Sequence, residues 1–148
     1  MKKLIIALII LMVAGSAFAG WQYAKESNEM GDINLEMAFT YDSDPDYDAL
    51  LGIGEEDQVG IVLVLYVKSE QFLSGNKIDI KIDDGKIISL PAIQHKQIFI
   101  APITPALVHT LKTGKAMKIR FETQADIHTV DFSLDGSATA INKLKGGE

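Results

Sequence analysis

The sequence predicts a mainly β protein: an antiparallel β-sandwich, of jelly-roll or immunoglobulin-like type, with one or two short helices. Apolar and polar residues alternate over several short segments, which is the period of half-buried strands. Turn-forming residues separate these segments at intervals of about ten residues, as they do in antiparallel sandwiches. No repeat or low-complexity tract interrupts the pattern. Roughly six to eight short strands in two packed layers would satisfy these observations.

The first 19 residues contain the three parts of a secretory signal peptide. Residues 1–3 are cationic, Leu4–Val13 is an unbroken apolar run, and Ala17–Ala19 has the small-x-small pattern of a signal-peptidase site. The apolar run covers ten residues, whereas a helix needs about 20 to cross a bilayer. We therefore predict cleavage after Ala19 and export to the periplasm or beyond. The remaining chain, residues 20–148, is predicted to be one β-rich domain that is not inserted in a membrane.

The chain contains no cysteine. A lipid anchor on a cysteine after the cleavage site, disulfides, thiol catalysis and zinc–thiolate sites are therefore excluded. We expect the apolar core alone to hold the fold together.

The chain is acidic, with 14 Lys and Arg against 20 Asp and Glu and a net charge of −6. Removal of Lys2 and Lys3 with the signal peptide would lower the net charge to −8. Nucleic-acid binding needs a basic surface that releases counterions, and no run of Lys and Arg exceeds two residues. We therefore expect no nucleic-acid partner.

Two strands are predicted in the first half of the mature chain. Apolar residues occupy every second position of Ile33–Tyr41, which indicates a half-buried strand. Nearly every residue of Val59–Val67 is apolar and many are β-branched, which predicts a central strand covered on both faces. Between them lies an acidic segment, Asp42–Asp57, which we interpret as an insertion between the two strands.

The dipeptide Asp84-Gly85 marks a predicted hairpin. Ile78–Ile82 alternates with charged residues before the turn, and Ile87–Leu90 follows it. Asp-Gly tolerates the positive φ angles of a tight type I′ turn. Gln97–Ala101 is predicted to be a further short strand.

The last part of the chain begins with a brief predicted helix. Thr104 is a suitable N-cap, a proline follows at the first helical position, and Gly114 ends the helix. Met117–Glu122 and His128–Leu134 then alternate on either side of a polar turn, so we expect these two strands to pair. A last helical turn is predicted over Ser137–Lys143. Its inward residues would be Ala140 and Ile141, followed by Leu144.

Two aromatic residues, Trp21 and Tyr23, lie at the mature N-terminus. We expect them to pin the first strand to the core. The alternative is an exposed, adhesive edge, which would favour aggregation.

The acidic segment suggests a calcium site, because a hard cation takes six to eight oxygen ligands. The candidate ligands are Asp42, Asp44, Asp46 and Asp48. The EF-hand pattern does not fit, since its sixth position is Tyr47 where glycine is needed and its twelfth is Ile53 instead of glutamate. An ordinary solvated loop is the other interpretation of this segment.

The sequence shows no motif for catalysis or cofactor binding. The nucleophile elbow Gly-x-Ser-x-Gly is absent, and Gly52–Gly54 precedes acidic residues that would repel a phosphate. His95, His109 and His128 match no metal-ligand spacing, and we interpret them as single surface histidines. Carboxylate pairs for glycoside cleavage stay open, because only their separation in space would decide. We expect a non-enzymatic protein with no catalytic residue and no cofactor.

Three parts of the chain share a pattern with a known group of proteins. They are Trp21 near the mature start, the helix–strand segment Pro105–Phe121 and the closing segment Phe132–Ile141. The pattern resembles small exported bacterial proteins of the invasion-associated locus B type and similar type VI secretion-associated periplasmic proteins. The resemblance implies a signal peptide, a β-sandwich and an ending of strand, glycine and short helix. Many such proteins carry cysteines that this chain lacks, and the resemblance supplies no catalytic residues.

These observations leave three functional hypotheses. The first is a non-catalytic protein of the bacterial envelope that binds another envelope protein through loops or a strand edge. The second is a small-ligand or calcium-binding module that uses residues 42–57. The third is a cell-wall hydrolase or an inhibitor of such hydrolases.

Overall fold

The computed structural model describes residues 20–27, 34–41, 49–56, 60–67 and 73–144. The predicted signal peptide, the four aspartates of the calcium hypothesis and the last four residues lie outside these ranges. The elements in chain order are β1 Gln22–Ser27, β2 Asn34–Tyr41, β3 Ala49–Glu56, β4 Gly60–Val67, β5 Leu73–Ile82, β6 Ile88–Pro91, β7 Ile93–His95, β8 Ile98–Pro102, α1 Pro105–Thr113, β9 Ala116–Thr123, β10 Ile127–Ser133 and α2 Ser137–Ile141.

The strands form two antiparallel sheets, which confirms the predicted mainly β class. One sheet has six strands in the order β1-β2-β3-β4-β8-β7, and the other has four in the order β10-β9-β5-β6. The first four strands make a meander, β5 and β6 enter the second sheet, β7 and β8 return to the first, and β9 and β10 complete the second. The strand pair β9–β10, predicted from alternation, is present with Phe121 opposite His128.

The two sheets share one apolar core. Alternate residues of β9 and β10 point into it, including Ile119, Phe121 and Phe132, each at most 2% exposed. Leu111 of α1 and Ile141 of α2 close the core and are fully buried. Burial of large apolar side chains on this scale supplies the main stabilising free energy in a chain without disulfides.

The outer face of the six-stranded sheet carries a second apolar cluster, separate from the core between the sheets. Its members are Met37, Phe39, Leu50, Val62, Val64, Ile98 and Ile100, all at most 5% exposed. Strand β4 therefore buries side chains on both faces, as predicted for a central strand. Strand β2 is also confirmed, but it is not half-buried, because Ala38 and Thr40 between the predicted apolar positions are buried too.

Part of the acidic segment is wrongly predicted as an insertion. Its second half is β3, which pairs with β2 on one side and β4 on the other. Leu50, Leu51 and Ile53 are fully buried there. The flanking acids and the two glycines weaken the local strand signal, so the sequence pattern does not indicate this strand at the centre of the sheet.

The hairpin between β5 and β6 is confirmed, but its turn differs from the type I′ turn predicted at Asp84-Gly85. The positive φ, 52°, belongs to Asp83. The Asp83 carboxylate accepts hydrogen bonds from the backbone N–H groups of Lys115 and Ala116 at 3.0–3.3 Å. These bonds tie the turn to the start of β9, and the residue with positive φ lies one position before the Asp-Gly pair.

Both short helices are confirmed. The Thr104 hydroxyl oxygen accepts a hydrogen bond from the Leu107 N–H at 3.2 Å and caps α1. Helix α2 follows Gly136, whose φ of 85° favours glycine. The Ser137 hydroxyl of α2 donates to the Leu111 carbonyl of α1 at 2.7 Å. This buried bond joins the two helices over one end of the core.

The N-terminal tryptophan has the predicted pinning role. Trp21 packs against the shared core and its indole N–H donates to the Ser133 carbonyl at 2.8 Å. This contact ties the edge strand β1 to the end of β10 in the opposite sheet. Within the described ranges, no helix combines the length and hydropathy needed to cross a membrane.

Candidate binding site

The outer face of the four-stranded sheet carries charged residues in two cross-strand rows. In the first row, Thr129 lies opposite Arg120, Arg120 opposite Asp79, and Asp79 opposite Ser89. In the second row, Asp131 lies opposite Lys118, and Lys118 opposite Lys81. We call these seven residues the charged face. The residues next to these in β5, β9 and β10 point into the core. Because side chains alternate between the two faces of a sheet, the seven residues of the charged face all lie on the outer surface.

The first row is organised around a buried carboxylate. Asp79 is 8% exposed. Its Oδ2 accepts hydrogen bonds from Arg120 Nη2 at 2.7 Å and Nε at 3.0 Å, and its Oδ1 accepts one from the Ser89 hydroxyl at 2.5 Å. Lys77 Nζ lies 4.0 Å from Oδ1. Ionised donors at these distances form strong hydrogen bonds, and the pair fixes the guanidinium over the sheet.

The hydrogen bonds from Ser89 and Arg120 hold the pKa of Asp79 below its usual range, in opposition to its burial. The carboxylate therefore stays ionised at neutral pH. It acts as a fixed counterion for Arg120 and not as a proton donor.

The second row contains more positive charge than its acid neutralises. Lys118 Nζ lies 2.9 Å from Asp131 Oδ1. Lys81, directly across the strand pair from Lys118, makes no ion pair within the part of the chain described. Two like charges in directly opposed positions of an antiparallel pair repel each other.

A shallow cavity of about 190 Å³ opens on the charged face. It is lined by Asp79, Lys81, Ile87, Lys118, Arg120 and Thr129. Ile87 is 57% exposed and gives the cavity an apolar wall. Most of the exposed surface that lines the cavity is apolar, and two lysines and Arg120 border it. The arrangement suits a side chain that carries both methylene groups and a negative charge.

The structure does not test the sequence-predicted site residues. Asp42, Asp44, Asp46 and Asp48 lie outside the described residues, so the calcium hypothesis stays a prediction. Over the described ranges, no three His, Asp or Glu residues are grouped as metal ligands would be.

The three histidines lie on separate elements. His95 ends β7 and His109 lies on α1, both exposed. His128 is not a simple surface histidine: its ring stacks on Phe121 with centroids 5.5 Å apart, and its Nε2 lies 3.3 Å from the Thr123 hydroxyl. These contacts are those of a packed side chain at the edge of the core.

Sequence reasoning identified the strands of the charged face but not the site. Alternation marks Lys81, Lys118 and Arg120 only as the charged residues between the apolar positions of their strands. The usable signal was an aspartate between two lysines in β5 together with basic residues at alternate positions of β9. Their meeting depends on the register between strands 41 residues apart in sequence, which alternation does not specify.

The fold and this surface define a small antiparallel β-sandwich with a charged sheet face. Among solved structures, the chain is similar to the crystal structure of invasion associated protein B from Bartonella henselae. The TM-score is 0.61 at 15% sequence identity, over 86% of this chain and 93% of that one. At this identity the likeness concerns the fold, and it agrees with the resemblance seen in the sequence. No family model matches the sequence, and no curated protein matches it significantly.

Proposed function

We propose that this chain is an exported, non-catalytic accessory protein of the bacterial envelope that binds another protein through its charged face. The observation that carries the proposal is the second row of that face, where Lys81 and Lys118 lie opposite each other and the single acid of the row, Asp131, lies on the far side of Lys118. Such a surface is stabilised by a partner that supplies negative charge.

The chemistry of the first row supports binding over catalysis. Asp79 is held ionised by Ser89 and Arg120, whereas a general acid or base needs a pKa near the working pH. Arg120 is in turn oriented by two hydrogen bonds to that carboxylate. A rigid, pre-oriented cation is well suited to recognition because little side-chain entropy is lost on binding.

The envelope location rests on two supports. The first is the three-part signal peptide of residues 1–19. The second is the fold likeness to a protein whose name associates it with invasion. Both favour a role outside the cytoplasm, in the periplasm or beyond it.

The experiment is crosslinking and affinity capture from envelope extract with the mature chain. Three baits are compared: the unchanged protein, the double variant Lys81→Glu and Lys118→Glu, and the control Lys96→Glu. Lys96 is exposed in the turn between β7 and β8 of the other sheet, so its substitution changes charge away from the site.

We expect the unchanged protein and the control to recover the same stoichiometric partner, and the double variant to lose it. Failure of the unchanged protein to crosslink to any stoichiometric partner would refute the protein-binding function. Retention of the partner by the double variant would refute the assignment of the contact to the charged face.

A further inference from the structure

The charged face contains an electrostatic imbalance at one position. Lys81 and Lys118 are opposed across the β5–β9 pair, where the β-carbons of opposed residues lie about 5 Å apart. Asp131 reaches Lys118 from the far side of β9. Asp79 is already engaged by Arg120 and Ser89. The space between the two lysines is therefore positive and lacks a counterion of its own among these neighbours.

The cavity at this position has the size and lining of a side-chain site. About 190 Å³ is enough for one carboxylate-bearing side chain and its hydration. Ile87 offers an apolar wall for methylene groups, and Thr129 lines the cavity beside the basic residues. Arg120 also lines this cavity, and its side chain is 48% exposed.

We propose that the gap between Lys81 and Lys118 is a carboxylate-binding site that takes a Glu or Asp side chain from an acidic peptide segment of the partner. The inference rests on the proposed protein-binding function and names the chemistry that the partner presents. A carboxylate seated there converts the like-charge repulsion into two charge-assisted contacts. The apolar wall favours a side chain with methylene groups over a free inorganic anion.

A long polyanion fits this surface poorly. The whole chain has a net charge of −6, so the field away from the charged face is repulsive to an extended phosphate backbone. Asp131 at the edge of the row limits the positive stretch to a few residues. The site is therefore matched to a short acidic segment.

The test is an NMR titration of the mature, isotope-labelled protein at low ionic strength. The probes are a blocked tetraglutamate peptide, a tetraglutamine peptide of the same length and inorganic phosphate. The protein variants are the double substitution Lys81→Gln and Lys118→Gln and the matched control Lys96→Gln. Thermal unfolding of each variant checks that it is folded.

We expect the tetraglutamate peptide to shift the backbone signals of Lys81, Lys118 and Arg120, with an affinity that falls as salt is added. The double variant should bind about tenfold more weakly or worse, while Lys96→Gln binds as the unchanged protein does. The tetraglutamine peptide should cause no shift. The unfolding temperature of the double variant should change little, because removal of the lysine repulsion offsets the loss of the exposed Lys118–Asp131 ion pair.

Three results would overturn the proposal: no shift on the charged face, equal binding by the double variant, or equal shifts with tetraglutamine. Phosphate binding as tight as that of the tetraglutamate peptide would also overturn it, since it would show a general anion site. If partner capture succeeds but the peptide does not bind, the carboxylate site is wrong and the protein-binding function stands. If the peptide binds but no partner is captured, the site stands and the function is wrong.

Discussion

Removing Arg120 should cost more stability than removing the charge of Asp79, although both substitutions break the same ion pair. The side chain of Asp79 is 10% exposed and that of Arg120 is 48% exposed. After Arg120→Met, a carboxylate stays buried with only Ser89 and the distant Lys77 amine as partners. After Asp79→Asn, the guanidinium can turn to water. The buried carboxylate left without its partner lowers the free energy of unfolding more than the exposed guanidinium does.

The expected magnitudes follow from these exposures. We expect Arg120→Met to lower the free energy of unfolding by about 2–3 kcal/mol, in the range for a buried charged group that loses its partner. Asp79→Asn keeps the volume and can still accept the Ser89 hydrogen bond, so we expect a loss of about 1 kcal/mol. The double variant should be less destabilised than the sum of the two, because it leaves neither a carboxylate nor a guanidinium without its partner.

The pH dependence of the free energy of unfolding distinguishes a contribution of the Asp79–Arg120 ion pair from a contribution of side-chain packing. Because Ser89 and Arg120 lower the pKa of Asp79 in the folded state, the pair stabilises the fold above the unfolded pKa, about 4. This contribution is lost as pH falls through the lower folded value. As pH is lowered from about 7, the difference between the unchanged protein and Arg120→Met should therefore stay constant to about pH 4 and shrink only below it.

The assay is urea unfolding followed by the fluorescence of the single tryptophan. A difference that stays constant over this pH range would show that Arg120 acts through its methylene packing alone. A larger loss for Asp79→Asn than for Arg120→Met would refute the argument from exposure.

Substitutions at four further positions test the packing, and those that keep Trp21 are measured by the same unfolding assay. Gly114→Ala should cost about 1–3 kcal/mol, because the new Cβ would lie 2.6 Å from a core isoleucine and 2.9 Å from a leucine. Gly52→Ala should cost less, since its 2.7 Å contact is with a flexible methionine side chain. Equal losses of stability for the two variants would contradict this reasoning. Thr104→Ala should cost about 1 kcal/mol through loss of the helix cap, whereas Thr104→Ser should not. Trp21→Phe should cost about 1 kcal/mol by leaving the Ser133 carbonyl without its indole donor, measured by circular dichroism because the fluorophore is removed, and unchanged stability would argue against pinning.

The elements that could be predicted are those whose signal is local. The cap at Thr104 and the alternation of β9 and β10 depend only on residues close together in sequence, and both are confirmed. Strand β3 was missed because its glycines and flanking acids weaken the strand signal, while its burial comes from neighbours on both sides and from both faces. Burial by distant strands is invisible to a local pattern.

The charged face shows the same limit for the candidate site. Lys81 and Lys118 can each be assigned to the polar side of a strand from alternation alone. Their direct opposition requires the β5–β9 register, which shifts between Ser74 and Asp79. A one-residue change of register would turn one set of side chains to the other face. The site is thus a product of strand pairing, and no motif in either strand encodes it by itself.

The position of the site on paired strands also constrains how a partner binds. Strands β5 and β9 are hydrogen-bonded to each other and have further neighbours on both sides, and their inward residues Ile80 and Ile119 are at most 1% exposed. A movement of the backbone at Lys81 would therefore disturb the core. Binding at the charged face should proceed by side-chain adjustment of the lysines with the sheet unchanged. A peptide titration should therefore shift the NMR signals of the charged face and leave those of the Ile80 and Ile119 methyl groups almost in place. Large shifts of these methyl groups would show that the partner opens the sandwich, and the rigid-surface account would then be wrong.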